Sequence, residues 1–326
     1  MRYIIYGAGA IGGTIGARLH QQGKEVLLIC RGPHLKTILE RGLKIETPTG
    51  GAMLAMDAVA HPREIDFKEG DVVLMTMKSQ HTLDALKDLQ EYAGDNIPVI
   101  CCQNGVCNEL AASRIFKRVY GMVVILPASH LEPGVVQHEA MDIGGILDAG
   151  NYPSGVDSII EAVTTDLRDA NFSADPDANI MRWKYAKLLN NLRNGVEVVC
   201  CSEEDTAELS RTLMREAIAS YKAANIDCAT REQVVERRGD LIKMGKIDGR
   251  ERAGSSSWQS IVRGTGSIEA DFLNGEICEI GRSNGIPTPF NRVMQSLANQ
   301  VAQGNIVANS MTVAEIKQLA HGTLSK

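Results

Sequence analysis

A short apolar run, Tyr3-Ile4-Ile5-Tyr6, passes directly into Gly7-Ala8-Gly9-Ala10-Ile11-Gly12, after which Ile11, Ile15, Ala17 and Leu19 recur with helical spacing. This is G-x-G-x-x-G set between a strand and a helix. Gly7 permits a tight turn, and Gly9 lets the backbone approach a pyrophosphate with no Cβ in the way. Gly12 lets helix and strand pack closely, and the amides of Ala10 and Ile11 open the helix toward the phosphates. The expectation is a dinucleotide-binding βαβ unit; the competing reading is a tight turn that holds nothing.

The next strand bears on which dinucleotide. Glu25-Val26-Leu27-Leu28-Ile29-Cys30 reads as the second parallel strand, and its end is where a carboxylate would hold the ribose 2′-hydroxyl of NAD. The chain has Arg31 there, followed by Gly32-Pro33-His34. A guanidinium suits a 2′-phosphate through bidentate, charge-assisted hydrogen bonds, so NADPH is expected over NADH. The plainer reading makes Arg31 a solvated residue at a strand end.

At 326 residues the chain suits two domains, and 44% hydrophobic with 23% charged residues is ordinary for a globular protein. A net charge of −6 argues against nucleic acid as the main partner. No run of 18 or more apolar residues is present, so no membrane span is expected. The early glycines belong to the turn, which argues against a signal peptide. Eight cysteines without C-x-x-C spacing point to reduced thiols in a cytoplasmic protein and to no metal site.

Asp71–Met77 reads as a strand buried on both faces, followed by a helix over 82–89, a strand over 97–101, a helix from about Val106 and a strand over 119–126. Residues 43–59 read as a hairpin, and 134–146 as antiparallel strands added to a sheet edge. Beyond Asn171–Asp177 the periodicity is helical, over 178–199, 203–224, 231–243, 268–283 and 289–303. The expected fold is α/β: a Rossmann-type parallel-sheet domain over 1–176, then an all-helical domain over 177–326. Ligands would lie at the carboxyl ends of the strands.

Four places carry polar residues that a purely structural reading strains to explain. Lys78 follows the Asp71–Met77 strand and could meet a phosphate or ribose, or could simply be a solvated strand cap. Gln103-Asn104-Gly105 follows the next strand; its amide could touch the nicotinamide ribose or the substrate, and Asn-Gly is equally a common turn. Within 181–194, Trp183, Lys187, Asn190 and Asn194 share a face of about 60°, with Lys184 and Asn191 flanking it. Asn is a poor helix former, so three in five positions suggest a ligand-binding face. Last, Ser255-Ser256-Ser257-Trp258-Gln259 is either a flexible loop or a set of hydroxyl donors. Beyond it, Glu269 and Asp271 open a helix whose dipole suits negative charge.

In order and spacing, the set Gly7-x-Gly9-x-x-Gly12, Arg31, Lys78, Gln103-Asn104-Gly105, Trp183…Lys187-Leu188…Asn194, Ser-Ser before Gln259, and Ile268-Glu269-x-Asp271…Asn274-Gly275 resembles the ketopantoate reductase family. The resemblance runs from residue 1 to about 290. It implies an NADPH-dependent reductase with Lys187 as the catalytic lysine and Glu269 as its acidic partner. It implies substrate contacts from Asn104, Asn194, one of Asn190 or Asn191, and Ser256, with Arg31 and Lys78 holding the adenosine phosphate end.

The chain departs from the family pattern in the asparagine spacing after Lys187, in one extra residue between Gln259 and Glu269, and in two further respects. Lysines stand one and four positions after Trp183, where the family commonly has one at two. Ser-Ser-Ser-Trp-Gln replaces Ser-Ser-Met-Leu-Gln. These changes touch the substrate's surroundings and leave the fold and reductase class intact. The expected partner is a small 2-oxoacid, ketopantoate first, with neither nucleic acid nor membrane involved and a homodimer left open. The rival readings are a β-hydroxyacid or opine-type dehydrogenase and a non-catalytic NADP-binding sensor.

Overall fold

The computed structural model describes residues 1–250, 254–264 and 266–324. Eleven strands occur among them: β1 (Arg2–Tyr6), β2 (Glu25–Ile29), β3 (Leu43–Thr47), β4 (Gly50–Leu54), β5 (Asp57–Val59) and β6 (Asp71–Met75) come first. β7 (Val99–Cys101), β8 (Val119–Met122), β9 (Ala128–Ser129), β10 (Val135–His138) and β11 (Ala149–Asn151) follow. Of the described residues, 1–103, 108–184 and 231–250 form one compact unit; 104–107, 185–230, 254–264 and 266–324 form the other.

The first unit is built on a seven-stranded sheet in the order β11-β8-β7-β6-β1-β2-β5. All its pairs are parallel except β11 with β8. β1 explains why the core forms here. Tyr3 and Ile5 face one side with Ile15, Leu28 and Leu74, while Ile4 and Tyr6 face the other with Val73, Met75 and Leu86. Both faces are therefore covered, as a parallel sheet requires. Connections leave β1 toward β2 and return through β6 on its other side, so the switch point of the sheet falls between β1 and β6. Tyr6 pairs with Ile29 and with Met75, which brings Gly7, Arg31 and Thr76 out near the same edge.

Residues 43–59 contain the expected hairpin, β3 against β4, and β5 then joins the edge of the main sheet beside β2. The expectation for 134–146 is corrected. β10 runs parallel to β3 and antiparallel to β9 in a separate four-stranded sheet, β4-β3-β10-β9. The antiparallel edge strand of the main sheet is β11. Alternation over four residues specifies which face is buried, not which strand is the neighbour.

The second unit is helical. Its helices include Ala207–Ala223, Asn274–Ser283 and Pro289–Ala302, which bury Leu209, Leu213, Ala217, Ile277, Met294 and Leu297. Gly195 stands so close to the last of these that a Cβ would lie 2.8 Å from Met294 Cγ. The stretch expected as one helix over 178–199 forms as Ile180–Asn191 and Arg193–Val199, interrupted at Leu192. Helices Ser158–Asp169, Ser256–Val262 and Val313–Leu324 were not expected from the periodicity. Among the described residues no helix is long and apolar enough to cross a membrane.

Candidate active site

The glycine turn has the geometry its residue types demand. Gly7 adopts φ +106°, and a Cβ there would lie 2.7 Å from the Met77 amide nitrogen. The Gly7 and Ala8 amides both donate to Ile29 O, at 3.0 and 3.2 Å, which ties the turn to β2. Gly9 caps helix Ala10–Gln21 with no side-chain cap, and no acidic residue occupies the first turn. A Cβ on Gly9 would meet no atom within 4 Å, whereas one on Gly12 would overlap Thr76 Oγ1 and lie 2.5 Å from Gly7 O. The two glycines thus serve different ends: Gly12 allows the fold, and Gly9 keeps open space above the helix N-terminus, where an anion is favoured.

Side chains around the turn hold it in place. Thr76 Oγ1 donates to Gly7 O at 2.9 Å. His34 is a positioning residue that sequence reasoning passed over. The Gly134 amide donates to its Nδ1 (2.8 Å), which leaves the proton on Nε2 to donate to Ala8 O (2.8 Å). Burial pushes the His34 pKa down, and the neutral ring is the form this bridge needs. Nothing in the Arg31-Gly32-Pro33-His34 string marks His34, because its partners lie 26 and 100 residues away. Arg31 is exposed at the start of helix Gly32–Arg41, and Lys78 is half-buried one residue beyond the Met77 backbone that packs on Gly7.

In the second unit, Lys187 Nζ donates to Asn104 Oδ1 at 2.7 Å. Gly105, at φ +79°, stands against the Phe272 carbonyl, where a Cβ would lie 2.9 Å from the oxygen. Phe272 ends the 3-10 turn Glu269–Phe272, so the Asn104-Gly105 segment, Lys187 and the turn bearing buried Glu269 share one neighbourhood. One turn on from Lys187, Asn191 is half-buried, and its Oδ1 is buried without a hydrogen-bond partner among the described residues. A buried acceptor left unpaired costs about 1–3 kcal/mol, which suits an atom reserved for a ligand.

Asn190 is exposed. With Arg193, Asn194, Glu197, Ser202 and Trp258 it lines a cavity of about 620 Å³ that neither Lys187 nor Asn191 lines. Lys187 thus engages Asn104 with Asn191 one turn on, while Asn190 and Asn194 line the cavity. The serine cluster is helical. Ser255 caps helix Ser256–Val262, its Oγ accepting from the Trp258 amide at 3.3 Å, while its own amide donates to the Glu197 carboxylate. Ser256 is the half-buried first residue of that helix.

The two lysines of the helix have different surroundings. Lys184 is 3% exposed, pairs with the fully buried Glu109, and donates to Cys101 O (3.2 Å) and Gln103 O (3.0 Å). Burial pushes the Glu109 carboxyl up, and the Lys184 ammonium opposes that shift. Lys184 thus donates to two backbone carbonyls and faces Glu109 as an ion pair. Glu109 was not legible as its partner, since Asn108-Glu109 reads as the ordinary polar first turn of a helix. Asn274, in the family-like Asn-Gly pair, is structural: it donates to Asn291 Oδ1 (3.0 Å) and braces the helices. All eight cysteines are free thiols, and no group of three or more metal-ligating side chains occurs among the described residues.

A parallel sheet with its switch point at a glycine turn defines a dinucleotide-binding protein of the Rossmann class. Two family models match the chain, ketopantoate reductase PanE/ApbA over residues 3–153 and ketopantoate reductase PanE/ApbA C terminal over 179–302. A 2-dehydropantoate 2-reductase from Pyrococcus horikoshii is 29% identical, over 91% of this chain and 96% of the relative. A PanE/ApbA family ketopantoate reductase from Ralstonia eutropha superposes with a TM-score of 0.77 at 25% identity, covering 93% of this chain and 99% of that one. D-mandelate dehydrogenase, solved with NADH and anilino(oxo)acetate, shares the fold with a TM-score of 0.78 at 22% identity, covering 94% of this chain and all of that one. The chain belongs to the ketopantoate reductase family and is an oxidoreductase.

Proposed function

We propose that the protein reduces a short 2-oxoacid with NADPH, and that the substrate is 2-dehydropantoate, giving pantoate for pantothenate biosynthesis. The observation that carries this reading is the Lys187 ammonium held at 2.7 Å by the Asn104 amide oxygen, with the unpaired Asn191 acceptor one turn on. The glycine turn fits the cofactor: it has open space above Gly9 and no side-chain cap or first-turn acid to compete for the helix N-terminus. Gly7, Gly9, Ala10, Ile11 and Gly12 hold the pyrophosphate, and Arg31 with Lys78 holds the adenosine phosphate end. When bound, the nicotinamide supplies the hydride.

Every other demand of the reaction falls on side chains. Lys187 stabilises charge growing on the keto oxygen and delivers the proton that completes the hydroxyl. Asn104 aims Lys187, and Asn191 and Asn194 orient the substrate, which shortens the search for a reactive geometry. Glu269 accepts from a substrate hydroxyl or steadies Lys187, and Ser256 donates to the carboxylate.

NADPH oxidation measured over a panel of 2-oxoacids tests the reading, with cofactor binding followed separately by fluorescence. Ketopantoate is expected to give the highest kcat/KM, and its analogue without the hydroxyl a clear loss, because buried amides are left unpaired. Equal rates with pyruvate would remove the hydroxyl-reading part of the proposal. Binding without turnover on any member would leave a sensor in place of an enzyme.

A further inference from the structure

We propose that Lys184 is a positioning residue for the reduction: its ammonium clamps the backbone carbonyls that precede Asn104 and thereby sets the Asn104–Lys187 contact. The inference deepens the proposed function and rests on its reading of Lys187. Lys184 and Lys187 lie three residues apart on one helix and have different work. Lys184 Nζ reaches Cys101 O, Gln103 O and the Glu109 carboxylate, so it fixes both the last residue of β7 and the residue immediately before Asn104.

A second set of bonds holds the same segment. Gln103 Nε2 donates to Thr82 Oγ1 (3.0 Å), Thr82 Oγ1 donates to Asn108 Oδ1 (2.8 Å), and Asn108 Nδ2 donates to Ser79 Oγ (3.2 Å). Ser79, Thr82, Gln103, Asn108, Glu109 and Lys184 are all at most 5% exposed. Such a concentration of buried polar side chains is a poor way to gain stability, since well-packed apolar residues commonly do as well as a buried ion pair. What it does provide is a single fixed path for residues 101–109. An Asn-Gly turn left to itself has several backbone conformations. Here Asn104 emerges from the clamp with its Oδ1 already on Lys187.

A double-mutant cycle tests this. One arm is Lys184→Met combined with Glu109→Gln, which strands no charge; the other is Asn104→Ala. The paired change is expected to lower kcat by on the order of 10²-fold with the KM for NADPH unchanged, the cost of misplacing a catalytic contact. In the Asn104→Ala background the same change should cost less than about twofold, because nothing remains to be aimed. Lys184→Arg keeps the charge balance, and so the fold, while altering donor geometry; it should give a smaller loss with the same masking.

Equal losses in both backgrounds, a KM for NADPH that rises as kcat falls, or an Asn104→Ala enzyme of normal kcat would each overturn the proposal. Lys187→Ala with undiminished turnover would instead overturn the proposed role of Lys187. The masking between Lys184 and Asn104 is measured separately, so the two failures are distinguishable.

Discussion

Under the proposed function, the glycine turn at residues 7–12 and the amide-bearing stretch at 184–194 prepare for a ligand in opposite ways. The turn works by leaving things out: Gly9 has no Cβ, and the helix that follows has no capping side chain and no acid in its first turn. The helix works by putting things in: Lys187 already engages Asn104, and Asn191 buries an acceptor without a partner. One site is made of backbone, which every residue has, and the other of side chains, which can be removed singly. Additions should therefore damage the first and truncations the second.

The largest expected effect comes from truncating the second. Lys187→Ala should lower kcat by roughly 10²–10⁴-fold, the usual worth of an acid–base participant, while NADPH binds as before. Stopped-flow turnover with cofactor fluorescence separates the two quantities. If Lys184→Ala loses turnover through chemistry while Lys187→Ala keeps it, the assignment of the two lysines is reversed.

Acid could imitate that loss by unfolding the sheet unit, and His138 says where. Its Nε2 donates to Gly144 O (2.7 Å) and its Nδ1 accepts from Arg18, a neutral ring in a buried site. Burial pushes its pKa down to about 4 from an ordinary 6.5. Above pH 6.5 neither folded nor unfolded chain protonates this ring, and its neutral contacts are fully available. As pH falls from 6.5 toward 4 the unfolded chain takes up the proton and the folded chain does not, so stability falls by about 3 kcal/mol in all. Urea midpoints for the native chain should drop across that window, and those of His138→Gln should change less. Parallel curves for the two would show that the acid sensitivity lies elsewhere.

How legible these regions were follows from the same contrast. The turn could be read because its function is a constraint on the backbone, and residue type alone reports that constraint. Glycine at 7, 9 and 12 after an apolar strand leaves few alternatives. Two buried strands of the main sheet could be read from the apolar runs at 71–75 and 99–101. The ladder of β10 could not be read, because four alternating residues fit either sheet.

The helix was legible in type and less so in detail. Three asparagines announced a polar face, but residue type does not report that Asn190 is exposed and Asn191 half-buried. Lys184 and Lys187 look alike in the sequence; their difference is Glu109 and two carbonyls, which come from a segment about 80 residues earlier. Nothing in residues 231–250 signalled that they pack with the sheet unit through Arg237, which donates to Asp148 at 2.8 Å. His34 was hidden for the same reason.

A smaller effect is expected at Arg31, the side chain to which the proposed function gives the choice of cofactor. Arg31→Ala should weaken NADPH by roughly 10–100-fold, the range of a lost charge-assisted hydrogen bond, and leave NADH nearly unchanged. Competitive titration with the two cofactors reads this directly. Equal weakening of both would make Arg31 part of the general framework of the turn and move the preference to Lys78.

The smallest change tests the contrast most sharply, because it adds a single methyl group. Gly9→Ala places a Cβ where no atom lies within 4 Å, so the folded chain should be as stable as before. If the pyrophosphate rests on that backbone, the same methyl must be displaced or endured on binding. NADPH affinity should then fall about tenfold, in line with the 1–3 kcal/mol typical of overpacking. Gly12→Ala is the control with the opposite signature, since its Cβ overlaps Thr76 Oγ1 and crowds Gly7 O within the fold itself. It should lower the melting temperature whether or not cofactor is present. A Gly9→Ala protein that binds NADPH normally would show that the open space above Gly9 is incidental and that the phosphates are held by side chains. The two regions would then be built on the same plan.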